Sequence, residues 1–546
     1  MRYLIRTYIV IVFLAVISSC SPRQEETAFE RVVEYYRSQG DTLKMQAAEY
    51  LARYSEYHYG VPRHIVGDSS MGEFIGFDSL HALHPGMFDI YVNPDSVLKA
   101  YLDSCGYHMS EEPARSDRDI VDDEYLIENI DLAFETWQRP WSRSVTFDDF
   151  CRYILPYRIG SEELSSWRRH FIRKYEASIA DSVSDLTSVT DVAQYLMRCV
   201  RRDVAYGGGM GPFCREAVAP AVAEQMHYLS CNACAYYAAM ALRACGIPCT
   251  VIDINWRFTE VGHSSVLVMP CRDSERPFRI SVGDTLIYMG AAKDTMASYR
   301  TWAYCYPVNA QLQKVARYYT SSGRTMPAAI SDLVYPLTRD DVTPLMSKTY
   351  DFAMPVPDSL QDKRYIYLCR FHDGRWLPVR GGMVDSDSVR FAGATIRQWY
   401  RMGYVSGDTL CTFGTAFTLS GDDGISDVRD RILRYDLSGD TVLFRLAYRD
   451  RVKDGPLRRS MTTRYWGADQ RWHTLTGDAV LWGFNPKTGE YREFDESMRS
   501  SGFRPDFHLL DVRLPRWTVF YDSILGSPFG YIDCNPETGE GYLMQF

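Results

Sequence analysis

Two residues in this chain suit nucleophile–base chemistry by type and setting: Cys231 and His263. Cys231 opens the run Cys231-Asn232-Ala233-Cys234-Ala235-Tyr236-Tyr237, which continues to Gly246. Ser230 before it is a good helix N-cap, and Gly246-Ile247-Pro248 carries the marks of a helix stop. The spacing predicts one helix of about four turns, with Ala235, Ala238, Ala239 and Leu242 on a close-packed face. Cys231 then falls in the first turn, where unpaired backbone N–H groups and the helix dipole favour an anion. A thiol held there loses its proton more readily, and the thiolate is the nucleophile. The same N–H groups can hold an oxyanion. A strand is predicted over Cys249 to Ile254, a second from His263 to Val268, and a third from Phe278 to Val282, followed by Gly283-Asp284. The order is helix with Cys at its start, strand with His at its start, strand with Asp at its end. A Cys–His pair with an orienting carboxylate is the thiol form of the catalytic triad.

Other chemistry is less well served. Cys231, Cys234, Cys245 and Cys249 could be read as zinc ligands, but a continuous helix from 231 to 245 separates its ends by about 21 Å at ~1.5 Å per residue. Four ligands at ~2.3 Å from one ion cannot span that distance. The same Cys-x-x-Cys could be a redox dithiol, but no thioredoxin-like strand pattern precedes it. There is no phosphate-binding Gly-rich loop with Lys-Ser/Thr, no HExxH, no Gly-x-Ser-x-Gly and no dinucleotide fingerprint after a strand. No metal or cofactor is expected. Net charge is −10, with no basic stripe, which argues against a nucleic-acid partner.

The elements that must hold these residues change character along the chain. At 546 residues, several domains are expected. Helical patterning covers Ala28 to Ser38, Thr42 to Ser55, Leu126 to Trp137 (ended by Pro140), a short helix from Phe147, Ser166 to Ser178, Thr190 to Asp203 and Ala310 to Ser322. The acidic stretch Glu111 to Glu124 reads as a solvated linker or a helix start. A glycine-rich loop follows at Gly207 to Gly211. From about residue 350, short alternating strands are separated by turn pairs such as Asp373-Gly374 and Ser438-Gly439, the grammar of sandwich-like modules. The tryptophans there (Trp376, Trp399, Trp466, Trp472, Trp482, Trp517) are either sugar-stacking platforms or ordinary core.

The amino terminus reads as an address. Arg2 and Arg6 precede an apolar run from Tyr8 to Ile17, too short to span a bilayer. Val16-Ile17-Ser18-Ser19-Cys20 resembles a bacterial lipobox, which implies cleavage before Cys20 and its lipidation. Gln24-Glu25-Glu26 resembles the export tag of Bacteroidetes surface lipoproteins. Of 14 cysteines, Cys20 is then taken by lipid. The odd remainder argues against a complete disulfide framework. Cys151, Cys199, Cys245 and Cys369 sit in apolar runs and are expected to be buried thiols.

Cys231 lies fifteen residues before Gly246, in a segment that ends Leu242-Arg243-Ala244-Cys245-Gly246-Ile247-Pro248, and Gly262-His263 follows. These features resemble the transglutaminase-like superfamily. Leu155-Pro156-Tyr157-Arg158 with Trp167-Arg168, Asp341-Val342-Thr343, and Tyr367-Leu368-Cys369 to Trp376-Leu377-Pro378 resemble its Bacteroidetes lipoproteins, over roughly residues 120–450. The resemblance implies a papain-like core with Cys231 as nucleophile, His263 as base, Asp284 as third member, and a role for Gln225 in the oxyanion hole; the other reading of Gln225 is a surface glutamine. Two departures stand out: Ser265 occupies the place of the usual aromatic after the histidine, and Asp284 lies 21 residues past His263.

The expectation is an α+β multidomain protein. Residues 1–19 form the signal, 20–185 an α-rich domain, 186–345 a papain/transglutaminase-like core, and 346–546 a β-sandwich-like region of one or two modules. It is expected in the cell envelope, lipid-anchored in the outer membrane and surface-exposed, hydrolysing or transferring an amide or peptide acyl group of a peptide or glycopeptide. The alternative is an inactive lipoprotein that binds glycans or peptides.

Overall fold

The computed structural model describes residues 26–61, 63–67, 106–111, 113–206, 219–256, 262–269, 276–282, 287–288, 298–321, 325–372, 375–395, 399–419, 432–434, 441–448, 456–466, 472–488, 490–515, 519–521, 530–534 and 541–545. It is a mixed α+β chain that divides into two compact units. One comprises Met1–Cys249 with Met269–Asp273, the other Thr250–Val268 with Ser274–Phe546. Cys20, Asp284 and the loop Gly207 to Gly211 lie outside the described residues.

Helices dominate the first unit, and local capping sets their starts. Thr27 and Glu30 form a capping box at α1 (Ala28–Gln39), which ends at Gly40 with φ 72°. Asp41 caps α2 (Thr42–Tyr54), Asp122 caps α3 (Asp123–Trp137) and Thr146 caps α4 (Phe147–Tyr153). The helical stretch expected over Ser166 to Ser178 is α5 (Trp167–Phe171), a π turn (Ile172–Glu176) and α6 (Ala177–Ser182). Ser188 caps α7 (Val189–Asp203); α8 (Pro220–Met226) and α9 (Cys231–Ala244) complete the set used below.

The acidic stretch at Glu111 to Glu124 does hold a helix start, Asp117–Ile120, but Asp117 is fully buried rather than solvated. Arg158 Nε donates to Asp117 Oδ2 at 2.8 Å and Nη2 to Oδ1 at 2.5 Å, and Tyr157 Oη donates to Oδ2 at 2.8 Å. A bidentate pair with a further donor is what a desolvated carboxylate requires.

The second unit carries three larger sheets among the described residues, with antiparallel described pairings. The first has the order β4-β3-β2-β1-β5-β6: β1 (Cys249–Trp256), β2 (His263–Val268), β3 (Phe278–Ile280), β4 (Ile287–Tyr288), β5 (Ser298–Tyr304) and β6 (Arg339–Asp341). The second has seven strands: β7 (Thr349–Pro355), β8 (Tyr365–His372), β9 (Arg375–Asp385), β10 (Ser388–Thr395), β11 (Trp399–Ser406), β12 (Thr409–Leu419) and β13 (Ile432–Arg434), in the order β7-β10-β9-β8-β11-β12-β13. The third is built from strands between Thr441 and Gln545. One face of the second sheet packs Phe352, Ile366, Leu368, Phe391, Tyr400 and Phe417 into a core. Of the tryptophans whose side chains are described, Trp376 packs against the cluster of Tyr367 and Cys369, and Trp482 stacks on Phe507 with ring centroids 6.3 Å apart. Both are half-buried against these partners. No helix among the described residues is long and apolar enough to cross a membrane.

Candidate active site

Cys231 begins α9, as its flanking residues predict. Ser230 is extended, with φ −64° and ψ 163°, and its hydroxyl accepts from the Ala233 N–H at 3.2 Å. From Ala233 onward every residue of α9 is buried, not only the alanine face. A helix of small and aromatic residues with no solvent face can be enclosed on all sides. Its far end is fastened to the α3–α4 connection. Trp141 Nε1 donates to Cys245 O at 2.7 Å and Ser142 Oγ to Gly246 O at 2.5 Å. Gly246 sits at φ 80°, where a Cβ would meet Ser142 Oγ and Thr136 O at 2.6 Å, so both backbone conformation and space require glycine there.

Three buried arginines frame this helix, and all three belong to motifs that the sequence singles out. Arg158 is paired with Asp117, as above. Arg168 and Arg243 form no ion pair with a carboxylate among the described residues, although the Glu162 charge favours Arg243. Arg168 donates to Asn129 Oδ1 at 3.0 Å, Ile154 O at 2.8 Å and Arg243 O at 3.2 Å. Arg243 donates to Cys249 O at 2.9 Å and Arg158 O at 3.3 Å. Burial, and then the Arg243 charge, push the Arg168 guanidinium down to about 9. The carbonyls it meets include the ends of α4 and α9, where the helix dipole is negative. That field stands in for a counter-ion.

Cys231 keeps partial exposure, unlike most thiols nearby. Cys151, Cys199, Cys245 and Cys369 are free and buried, as expected. Burial pushes Cys151 and Cys249 up to about 12, and raises Cys245 and Cys369 further. Those four thiols are therefore held protonated. Cys234 is buried and free, with Leu229 O and Ala205 O each 3.7 Å from its sulfur. It behaves as a packed thiol donating to backbone. No metal-binding group of His, Cys, Asp or Glu occurs among the described residues.

The segment leading to Cys231 is anchored by charge. Glu224 on α8 lies 2.7 Å from His170 Nε2, 2.8 Å from Lys174 Nζ and 2.8 Å from Tyr237 Oη. Burial alone would raise this carboxyl, but these donors outweigh it and hold Glu224 below the usual range. Lys174 also reaches Asp203 at 2.9 Å. No local pattern in the sequence marks this network, since its members come from α5, the π turn, α7, α8 and α9. Gln225, next to Glu224, lies in α8, and its side chain is outside the described residues. An open cavity of about 440 Å³ is lined by Ser166, Arg169, His170, Arg173 and Lys174; Cys231 does not line it.

His263 is the first residue of β2, half-buried, with Nε2 sheltered. Its strand is fixed on both sides. Ser264 Oγ donates to Asp253 Oδ1 at 2.7 Å, and Tyr304 Oη donates to Asp253 Oδ2 at 2.8 Å. Ser265, in the place of the usual aromatic, is 1% exposed and donates to Ile280 O at 3.0 Å. Side chains alternate across a strand, so His263 and Ser265 face away from the side that Ser264 shares with Asp253. Asp253 therefore secures the strand. A carboxylate inside the apolar run Val251-Ile252-Asp253-Ile254 was the signal for this anchor, since a charge half-buried among apolar neighbours demands partners. Opposite, Val266 pairs with Ile280 and Val268 with Phe278, so β3 runs antiparallel to β2.

Cys231 belongs to the first unit and His263 to the second, and each is fixed by its own surroundings. Comparison of the chain with protein-family models, curated proteins and solved structures found no match.

Proposed function

We propose that this chain is a lipid-anchored envelope protein with a papain-like, transglutaminase-like cysteine site. The Cys231 thiolate attacks an amide carbonyl, forming a thioester as the carbon–nitrogen bond breaks. His263 takes the thiol proton and delivers it to the leaving amine. Water, deprotonated by His263, then releases the acid and restores the thiol. Asp284 is the candidate to orient the imidazole, and Gln225 a candidate donor to the oxyanion. In an aqueous envelope, hydrolysis of a peptide or glycopeptide is favoured over transfer to an amine. Cys20 would carry the lipid, at the outer membrane and facing outward.

The observation that carries this reading is the setting of Cys231. It is a partly exposed thiol in the first turn of a capped helix, among buried thiols driven toward the protonated form. The glycan-binding alternative would rest on aromatics such as Trp376 and Trp482, which are half-buried against Tyr367 and Phe507. Competitive labelling of the full chain with a limiting electrophile near neutral pH tests the proposal. Cys305 and Cys411, also partly exposed, are the internal controls. Cys231 is expected to label about tenfold faster or more, as suits a thiolate, and His263→Ala to remove that advantage. Hydrolysis of a peptide and glycopeptide library is expected to vanish in Cys231→Ala. Equal labelling of the three cysteines would sink the nucleophile assignment.

A further inference from the structure

Asp341-Val342-Thr343 is a motif that the proposed chemistry does not use. Asp341 ends β6 and folds back on its own chain, accepting from the Thr343 N–H at 3.0 Å and from the Thr343 hydroxyl. Its other oxygen, Oδ2, accepts from Arg380 Nη1 on β9 and lies 3.9 Å from Arg300 Nε on β5. The second distance is that of an ion pair but beyond hydrogen-bond range. Two guanidiniums thus share one carboxylate. Arg300 and Arg380 are 6% and 8% exposed. A third, Arg339, lies across the Trp302 ring at 4.2 Å while Arg300 lies over the same ring at 4.4 Å. Arg339 Nη2 donates to the Asp332 backbone carbonyl, and burial outweighs the Tyr304, Asp332, Asp253 and Asp341 charges to bring it down to about 10; its Nε, too, is sheltered without a hydrogen-bond partner among the described residues.

The imbalance shows atom by atom. Arg300 Nε and Arg380 Nη2 are fully sheltered and make no hydrogen bond among the described residues. A buried charged donor without a partner is among the costliest groups in a protein. Burial, opposed by Asp341 and reinforced by Arg380 and Arg339, pushes Arg300 down to about 9, so it stays charged at neutral pH. Asp341 keeps 23% of its side chain exposed and is the point where the cluster meets solvent.

We propose that Arg300 and Arg380 form a receptor for one small monovalent anion, of chloride or carboxylate kind, admitted beside Asp341. The anion takes the two spare N–H donors and balances the second guanidinium, with no bond made or broken. Bound there, it ties β5 and β6 of the sheet that carries His263 to β9 of the next. This site is independent of the cysteine chemistry.

Thermal unfolding of the full chain, titrated with sodium chloride or sodium acetate at ionic strength held constant with isethionate, tests it. Wild type is expected to gain stability in a saturable way with at least one of the two anions, and the arm that responds identifies the kind. Arg300→Gln is expected to need about tenfold more anion or to lose the response, the scale of one lost charge-assisted donor. Asp341→Asn, which removes the competing carboxylate, is expected to respond at lower anion concentration than wild type. Identical unfolding of wild type in chloride, acetate and isethionate overturns the proposal. So does an Arg300→Gln dose response equal to wild type. If Arg300→Gln does not fold, Asp341→Asn decides alone, and an unchanged or weakened response there overturns it.

Discussion

The buried arginines around α9 are satisfied in two ways, and the difference predicts how each fails. Arg158 has a carboxylate, Asp117, in a bidentate pair. Arg168 has only carbonyls and the Asn129 amide, and its charge is balanced by the ends of two helices. Replacing Arg168 with methionine removes a buried charge but leaves Asn129 Oδ1 and the Ile154 carbonyl without the Arg168 donor, while the Arg243 carbonyl keeps the Gly246 N–H. The expected cost is about 3 kcal/mol, within the range seen when one side of a buried charged network is removed. Urea unfolding followed by tryptophan fluorescence measures it; a variant as stable as wild type would show that the carbonyls find other donors. The buried thiols obey the same rule from the other side. Desolvation raises Cys151, Cys245, Cys249 and Cys369, so they are expected to resist alkylation until the chain unfolds, as intact-mass analysis before and after denaturant would show.

At the scale of elements, α9 decides where the candidate nucleophile sits, and both its ends are set locally. Ser230→Ala removes the hydroxyl that accepts from the Ala233 N–H, at an expected cost of about 1 kcal/mol. Gly246→Ala should be worse. An alanine at φ 80° is strained by roughly 1–2 kcal/mol, and its Cβ would press on Ser142 Oγ and Thr136 O. Unfolding midpoints of the two variants should therefore rank Gly246→Ala below Ser230→Ala; the reverse order would mean that the helix end can shift away from the α3–α4 connection. The helix limits were readable because capping side chains and C-terminal glycines act within about four residues. The π turn at Ile172–Glu176 was not. Nothing in a run of helix formers marks where one extra residue enters a turn, and here the inserted turn also places Lys174 on Glu224 and Asp203.

For the whole molecule, acid sensitivity is expected to begin in the third sheet. His508 is 1% exposed, and its Nε2 lies 2.9 Å from Pro456 O. Burial, aided by the Arg459 charge, depresses its folded pKa below the ordinary value of 6.5, against the pull of the Pro456 carbonyl. The unfolded chain therefore binds a proton that the folded chain refuses. Its contribution to stability is complete above about pH 6.5 and is lost as pH falls through the lower folded value. Denaturant midpoints measured downward from neutral pH should fall in wild type and fall less in His508→Gln; parallel curves would remove His508 as the cause.

Much of this protein was settled by the sequence by itself. The helix limits, the strands on either side of His263, the α-to-β change along the chain and the buried state of four cysteines all follow from capping, periodicity and composition. Each of these signals is local, carried by side chains a few residues apart or by the apolar run around them. The tertiary structure alone decided which buried charges survive. Asp117 reads as part of a solvated acidic stretch until Arg158, 41 residues later, is laid across it. Arg168 meets Arg243 O over 75 residues, and Trp141 meets Cys245 O over 104. A buried charge or carbonyl needs some donor or acceptor, which sequence chemistry demands in advance. Which one answers depends on how the chain returns, and that is set by the packing of whole helices and sheets.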